Sequence, residues 1–199
     1  GSVYKGEWHA DQQHGEGLDT KADGGTYDGS WKAGQRAGQG TQVNDKGSVY
    51  TGEFANNVRH GKGKVTRSSG SWYEGDWSAG KPHGVGVSFD KSAGVTYTGS
   101  WEAGVKCGRG KTSAEGQDVS YDGVWQNGQK HGHGTEMNAD DSTYDGSYVD
   151  GLRCGDGTMV YADGTQYTGH WEAGKRHGKG ALKVLSGYVL ESTWDMDVQ

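Results

Sequence analysis

Apolar side chains are scarce in this chain: hydrophobic residues fill 30% of its 199 positions, too few for a two-layer core of packed elements. No run approaches the roughly 20 apolar residues of a membrane span, and the N-terminus lacks the charged-then-apolar pattern of a secretory signal. A soluble, cytoplasmic protein is the expectation. Only two cysteines occur, Cys107 and Cys154; they share one repeat slot, which suits reduced thiols better than a disulfide framework. Positive charge is also in deficit. Lys+Arg 20 against Asp+Glu 26 gives a net charge of -6, which argues against nucleic-acid partners, whose sequence-independent binding runs on phosphate neutralisation.

Aromatics and glycine are present instead, at fixed phase. Tyr4, Tyr27, Tyr50, Tyr73, Tyr97, Tyr121, Tyr144 and Tyr167 recur every 23 or 24 residues. Each opens the same phrase of Tyr, Gly and an aromatic on alternate positions, a turn, then Gly-x-Gly. A ninth, degraded copy puts Leu190, Ser192 and Trp194 in those slots. Such a period marks a single repeat array. Eight Trp and eleven Tyr, most of them phase-locked, are the opposite of the aromatic-poor signature of disorder. Rings must therefore be buried against bare backbone, repeat by repeat. Gly1-Ser2-Val3-Tyr4 has the phase of Gly47-Ser48-Val49-Tyr50, so the chain opens at a repeat boundary, as the later part of a longer array would.

Within Tyr27-Asp28-Gly29-Ser30-Trp31 the special residues alternate, the period of a strand with Tyr, Gly and Trp on one face and polar residues on the other. Turn pairs follow each aromatic, among them Asn127-Gly128, Asp150-Gly151, Asn56-Asn57 and Ala33-Gly34; Asn-Gly and Asp-Gly are strong hairpin signals because both central positions need positive φ. A further Gly three residues before most tyrosines, replaced by Asp118 and Asp141, marks the turn into the next hairpin. Centring each hairpin on its turn predicts Tyr27 opposite Gly40, Gly29 opposite Gly38 and Trp31 opposite Arg36, with the cation over the Trp ring. Stacked hairpins would advance about 9.6 Å each, giving a rod on the order of 80 Å. The fold class read from this is all-β, an elongated single-layer solenoid of stacked antiparallel β-hairpins.

These residues resemble the MORN repeat (membrane occupation and recognition nexus). Tyr167, Gly169, Trp171, Gly174, Gly178 and Gly180 fall on all its fixed positions. Asp11 and Asn57 depart from it at the turn glycine, and Phe54 and Tyr148 at the Trp. The resemblance implies an elongated all-β hairpin array and a structural scaffold, most like the repeat-only cytoskeletal members. It implies cytoskeletal or membrane-associated protein partners and a place at the cytoskeleton or on the cytoplasmic face of a membrane.

Chemistry is thin. The slot before the second strand's first Gly holds His14, His60, His83, Cys107, His131, Cys154 and His177, spaced too widely for an easy zinc site, with Cys154 and His177 the nearest to one; cross-strand pairing of the histidines with Glu7, Glu53 and Asp76 is expected instead. Gly104 through Lys111-Thr112 imitates a phosphate loop but has one residue too many and no helix after it. No nucleophile–base constellation stands out, so neither a cofactor nor catalysis is expected. Arg36, Arg59, Lys106, Lys130, Arg153 and Arg176 form a column of cations at intervals of about 10 Å, interrupted by Gln13 and Pro82, a candidate for anions and phosphoinositide headgroups. The rival function is therefore a phospholipid-binding adaptor. Finally, Leu182, Val184, Leu185, Tyr188, Leu190, Trp194 and Met196 belong to the most apolar stretch, the predicted interface of a homodimer joined end to end.

Overall fold

The computed structural model describes residues 1–116 and 119–198; the expected turn at Asp118 lies outside them. Among the described residues there are seventeen strands and no helix, hence none long and apolar enough to cross a membrane. The chain forms two compact units, Gly1–Gly94 with Ser100–Val105, and Val95–Gly99 with the residues from Lys106 onward. In unit one, β1 (Val3–His9), β2 (Gln12–Thr20), β3 (Thr26–Lys32), β4 (Gln35–Val43), β5 (Val49–Ala55), β6 (Val58–Thr66), β7 (Trp72–Ser78) and β8 (Lys81–Asp90) pair in chain order, all antiparallel. β9 (Val95–Glu102) is divided between the units. Unit two repeats the pattern through β10 (Val105–Ala114), β11 (Ser120–Gln126), β12 (Gln129–Met137), β13 (Thr143–Val149), β14 (Leu152–Val160), β15 (Gln166–Glu172), β16 (Lys175–Lys183) and β17 (Val189–Trp194). Each unit is thus an all-β, single-layer solenoid of hairpins.

The register differs from the plain pairing expected. Trp31 does face Arg36, but Gly29 pairs with Gly40 and Tyr27 with Gln42. Ala37, Gly38 and Gln39 face Ser30 alone, a bulge that Gly38 permits by adopting φ 64°, where a Cβ would be strained. The bulge frees a backbone amide from the ladder. In three hairpins of unit one a carboxylate takes it: Glu7 accepts from Glu16 N at 3.1 Å, Glu53 from Lys62 N at 2.8 Å and Asp76 from Val85 N at 2.9 Å. These are the acids expected to pair with histidines; each accepts the freed amide, while Glu7 still stands opposite His14 and the charge of His83 still acts on Asp76.

The core is a file of rings. Tyr27 and Tyr50 are buried, each with its hydroxyl donating to the carbonyl three residues on (2.9 Å to Ser30 O and to Glu53 O). The Tyr27 ring lies over Gly40, where a methyl group would sit 2.5 Å from its hydroxyl oxygen. Trp77 stands edge-on between its own Tyr73, at 5.3 Å, and Tyr50 of the hairpin before, at 5.0 Å. Its indole Nε1 donates to Gly63 O at 2.9 Å. Each such ring pair contributes about 0.5–1.5 kcal/mol beyond its burial. In unit two Trp171 makes the same pair of contacts with Tyr144 and Tyr167. The hairpins are also joined at their tips: Gly80 N donates to Arg59 O at 3.0 Å, and Gly174 N to Arg153 O at 2.9 Å.

Candidate functional site

Trp residues lean toward the preceding hairpin, and this decides what the cation column touches. Arg36, expected over Trp31, lies over Tyr27 (5.5 Å from guanidinium carbon to ring centroid) and over Phe54 of the next hairpin (5.6 Å). Trp31 has turned away to give its Nε1 to Gly17 O at 3.0 Å. The rule repeats for Arg59 on Tyr50 and Trp77, Lys106 on Tyr97 and Trp125, Lys130 on Tyr121 and Tyr148, Arg153 on Tyr144 and Trp171, and Arg176 on Tyr167 and Trp194. All six candidate anion-binding cations are half-buried on the rings. Their charges lie over aromatic faces, which attract them.

Beyond the rings, the two units treat their cations differently. In unit two, Glu136 receives Lys130 and Arg153, the latter at 2.8 Å, and the Tyr148 hydroxyl at 3.0 Å. Burial alone would raise the Glu136 pKa; the hydrogen bonds from Lys130, Arg153 and Tyr148 outweigh it and hold the carboxyl below the usual range. Arg176 Nε donates to Asp197 Oδ1 at 3.1 Å. An open cavity of about 570 Å³ lies here, lined in part by Asn138, Arg153, Met159, Tyr161, Trp171 and Arg176. In unit one the acceptors are neutral: Arg36 donates to Asn57 O at 3.0 Å and Arg59 to Gln42 Oε1 at 3.1 Å. Sequence reasoning missed Glu136 and Asp197. The signal for Glu136 was an acid in a slot that holds Gln42, Val65, Ser88, Thr112, Met159 and Leu182 in other hairpins and a second acid only at Asp19.

The histidine slot offers no metal cage. Among the described residues no group of three His, Cys, Asp or Glu side chains is placed to hold a metal. His177 faces Glu172 at 3.3 Å and Asp195 at 3.6 Å, and Cys154 is a half-buried free thiol whose pKa burial raises.

At the C-terminal end the degraded ninth copy still forms a strand and a turn. Trp194 is 4% exposed, stacked edge-on against Tyr167 at 5.5 Å and capped by Arg176 at 4.0 Å. Met196 and Asp197 take φ 51° and 76° in a hairpin-like turn, and Asp197 N donates to Arg176 O at 2.9 Å, as the turn residues do in earlier hairpins. Leu182 is half-buried opposite Leu190. The remaining predicted interface residues are exposed: Val184, Leu185 at 74%, Tyr188 at 80%, Leu190 at 51% and Met196.

Stacked bulged hairpins, with a tyrosine over paired glycines and an indole shared between neighbours, define an aromatic-cored β-hairpin repeat array. The MORN repeat model matches residues 4–26, 27–49, 50–72, 73–90, 97–116, 121–143, 144–166 and 167–183, so the chain belongs to the MORN-repeat family. No curated protein matches it. Among solved structures it is similar to the TCP domain of Drosophila melanogaster SAS-4 (dCPAP) in complex with a proline-rich motif of Ana2 (dSTIL), at 13% identity over 90% of each chain, TM-score 0.49. It is also similar to the TCP10 domain of Danio rerio CPAP in complex with a STIL peptide, at 13% identity over 98% of this chain and 100% of that one, TM-score 0.37. Likeness at this level assigns neither ligand nor partner to this chain.

Proposed function

We propose that this chain is a non-enzymatic scaffold that binds other proteins, and that two copies join through their C-terminal ends. The observation that carries the reading is the edge of β17 away from β16, which no strand pairs in register among the described residues, with Leu185, Tyr188 and Leu190 exposed around it. Unpaired strand backbone beside apolar side chains favours a further strand. Neighbouring strands pair antiparallel, so a two-fold axis across β17 lets two copies of that strand pair in the same sense. The groups with displaced pKa values are consumed by packing: tyrosine hydroxyls on backbone carbonyls, Glu136 on cations. That leaves little for acid–base chemistry and supports a role in assembly at the cytoskeleton or under a membrane. The phosphoinositide reading draws less support, because Lys130, Arg153 and Arg176 already meet Glu136 and Asp197.

Light scattering tests it. The chain is expected to have twice its own mass at concentrations on the order of tens of micromolar. Leu190→Glu and Tyr188→Glu, made separately, are expected to halve that mass while leaving the circular dichroism unchanged. Raising the salt concentration is expected to leave the dimer intact, since apolar burial is not screened. A folded wild-type monomer at that concentration overturns the dimer.

A further inference from the structure

Unit one leaves positive charge on its ring face without a counterion. Arg59 lies over Tyr50 and Trp77, and Nε and Nη2 donate to one neutral oxygen, Gln42 Oε1. Arg36 donates to the Asn57 carbonyl. Arg67, just beyond the end of β6, makes no side-chain hydrogen bond or ion pair among the described residues. None of the three pairs with a carboxylate there. Asp19, which occupies in its hairpin the place Glu136 has in unit two, makes no ion pair with Arg36. Arg36 reaches the ring of Phe54, which pairs across the strands with Arg59, and Arg67 lies two residues past the buried Val65 on the same strand alternation; burial lowers the Arg59 pKa, and the charges of Arg36 and Arg67 lower it further against the pull of Tyr50. Unit two answers the same crowding with Glu136 and Asp197.

We propose that Arg36, Arg59 and Arg67 are a docking site for an acidic, extended segment of a partner protein. Two features favour a peptide over a lipid surface. The arginines of the column are half-buried on their rings, within reach of a carboxylate on a short stem but recessed from a flat bilayer, and a net charge of -6 opposes adsorption to an anionic leaflet. Spacing sets the motif. Arg36 and Arg59 sit one hairpin apart, about 9.6 Å at twice the strand separation, and an extended chain advances about 3.3 Å per residue. In the polyproline II form of an extended chain, three residues make one turn and advance about 9.3 Å, so acids at every third position share a face and meet Arg36 and Arg59 in turn. Carboxylate bonds to guanidinium are charge-assisted and specific.

The site rests on the protein-binding reading above, and the test separates the two. A fluorescent peptide with glutamate at every third position is titrated against the full chain by anisotropy, beside the same peptide carrying glutamine. The glutamate peptide is expected to bind, with affinity falling steeply as salt rises, and the glutamine peptide is not. Arg67 is exposed and its side chain makes no hydrogen bond or ion pair among the described residues, so Arg67→Gln is expected to weaken binding at least tenfold with an unchanged melting midpoint. Arg59→Gln is expected to weaken it as well, while Arg109→Gln, an exposed residue in unit two, leaves it alone. Equal binding of both peptides, no binding by either, or full affinity in Arg67→Gln overturns the proposal. So does capture of phosphoinositide vesicles through these arginines when the peptide is ignored. A folded dimer that binds no glutamate peptide removes the arginine site and leaves the dimer; a monomer that binds the peptide removes the dimer and keeps the site.

Discussion

Arg59 lies over the face of Tyr50, its guanidinium carbon 4.6 Å from the ring centroid. The contact does two things at once, roofing a ring that has no second sheet above it and placing a cation where the ring's quadrupole attracts it. Arg59→Ala is expected to lose both, about 1–2 kcal/mol by urea unfolding. Arg59→Met keeps the roof without the charge and is expected to recover roughly half. Equal stability of the two variants would assign the whole effect to the cation.

Trp77 is shared between Tyr50 and Tyr73, so its loss is felt in two hairpins. Trp77→Ala is expected to cost about 3–5 kcal/mol, and hydrogen exchange should accelerate in β5 through β8 together. Acceleration confined to β7 and β8 would show that the indole does not couple neighbours.

Gly40 lies under the Tyr27 ring. Gly40→Ala is expected to cost more than about 1–3 kcal/mol of overpacking, since the ring rests on backbone and cannot yield without breaking its bond to Ser30 O. Gly34→Ala, at a turn position with φ 76° and open space around it, carries backbone strain alone and is expected to cost about 1 kcal/mol. The order of the two midpoints in urea decides the matter.

Burial pushes the pKa values of Tyr27, Tyr50, Tyr73, Tyr97 and Tyr121 up to about 12. A folded-state value above the unfolded one, near 10, contributes stability that is complete below pH 10 and is lost as pH rises toward 12. Tyrosinate absorbance is expected to appear together with loss of circular dichroism across that window. Ionisation near pH 10 with the fold intact would contradict the burial.

Glu136 shows the opposite sign. Its pKa is held below the ordinary 4.5, so its contribution is present above that value and disappears as pH falls through the lower, folded one. Glu136→Gln is expected to cost about 1–3 kcal/mol at pH 7, with wild type and variant converging in acid. A stability difference that stays constant down to pH 2 would place the effect in packing.

Much of this was legible in the residues. Alternation of Tyr27, Gly29 and Trp31 gives the strand, Ala33-Gly34 gives the turn, and in both units the hairpins follow in chain order. The bulge was not legible, because Gly38 and Gly40 suit a plain pairing as well as a shifted one and only the left-handed φ at Gly38 separates them. Nor was the cation's choice of ring: Arg36 does face Trp31 across the strands, but the lean of the indole toward Gly17 hands the cation to Tyr27 and Phe54. Arg67 escaped notice because it falls outside the periodic column, in a slot occupied by Lys21, Asn44 and Asp90 elsewhere.

The indole shared between two tyrosines also governs how such a chain can change length. Excising one whole period, from Tyr50 to the residue before Tyr73, brings Tyr27 beside Trp77 and restores every ring contact at the seam. Excising half a period strands a ring on open backbone. Length is therefore gained or lost in complete hairpins, so gene-level duplication or deletion of single repeats can tune reach without redesigning a core.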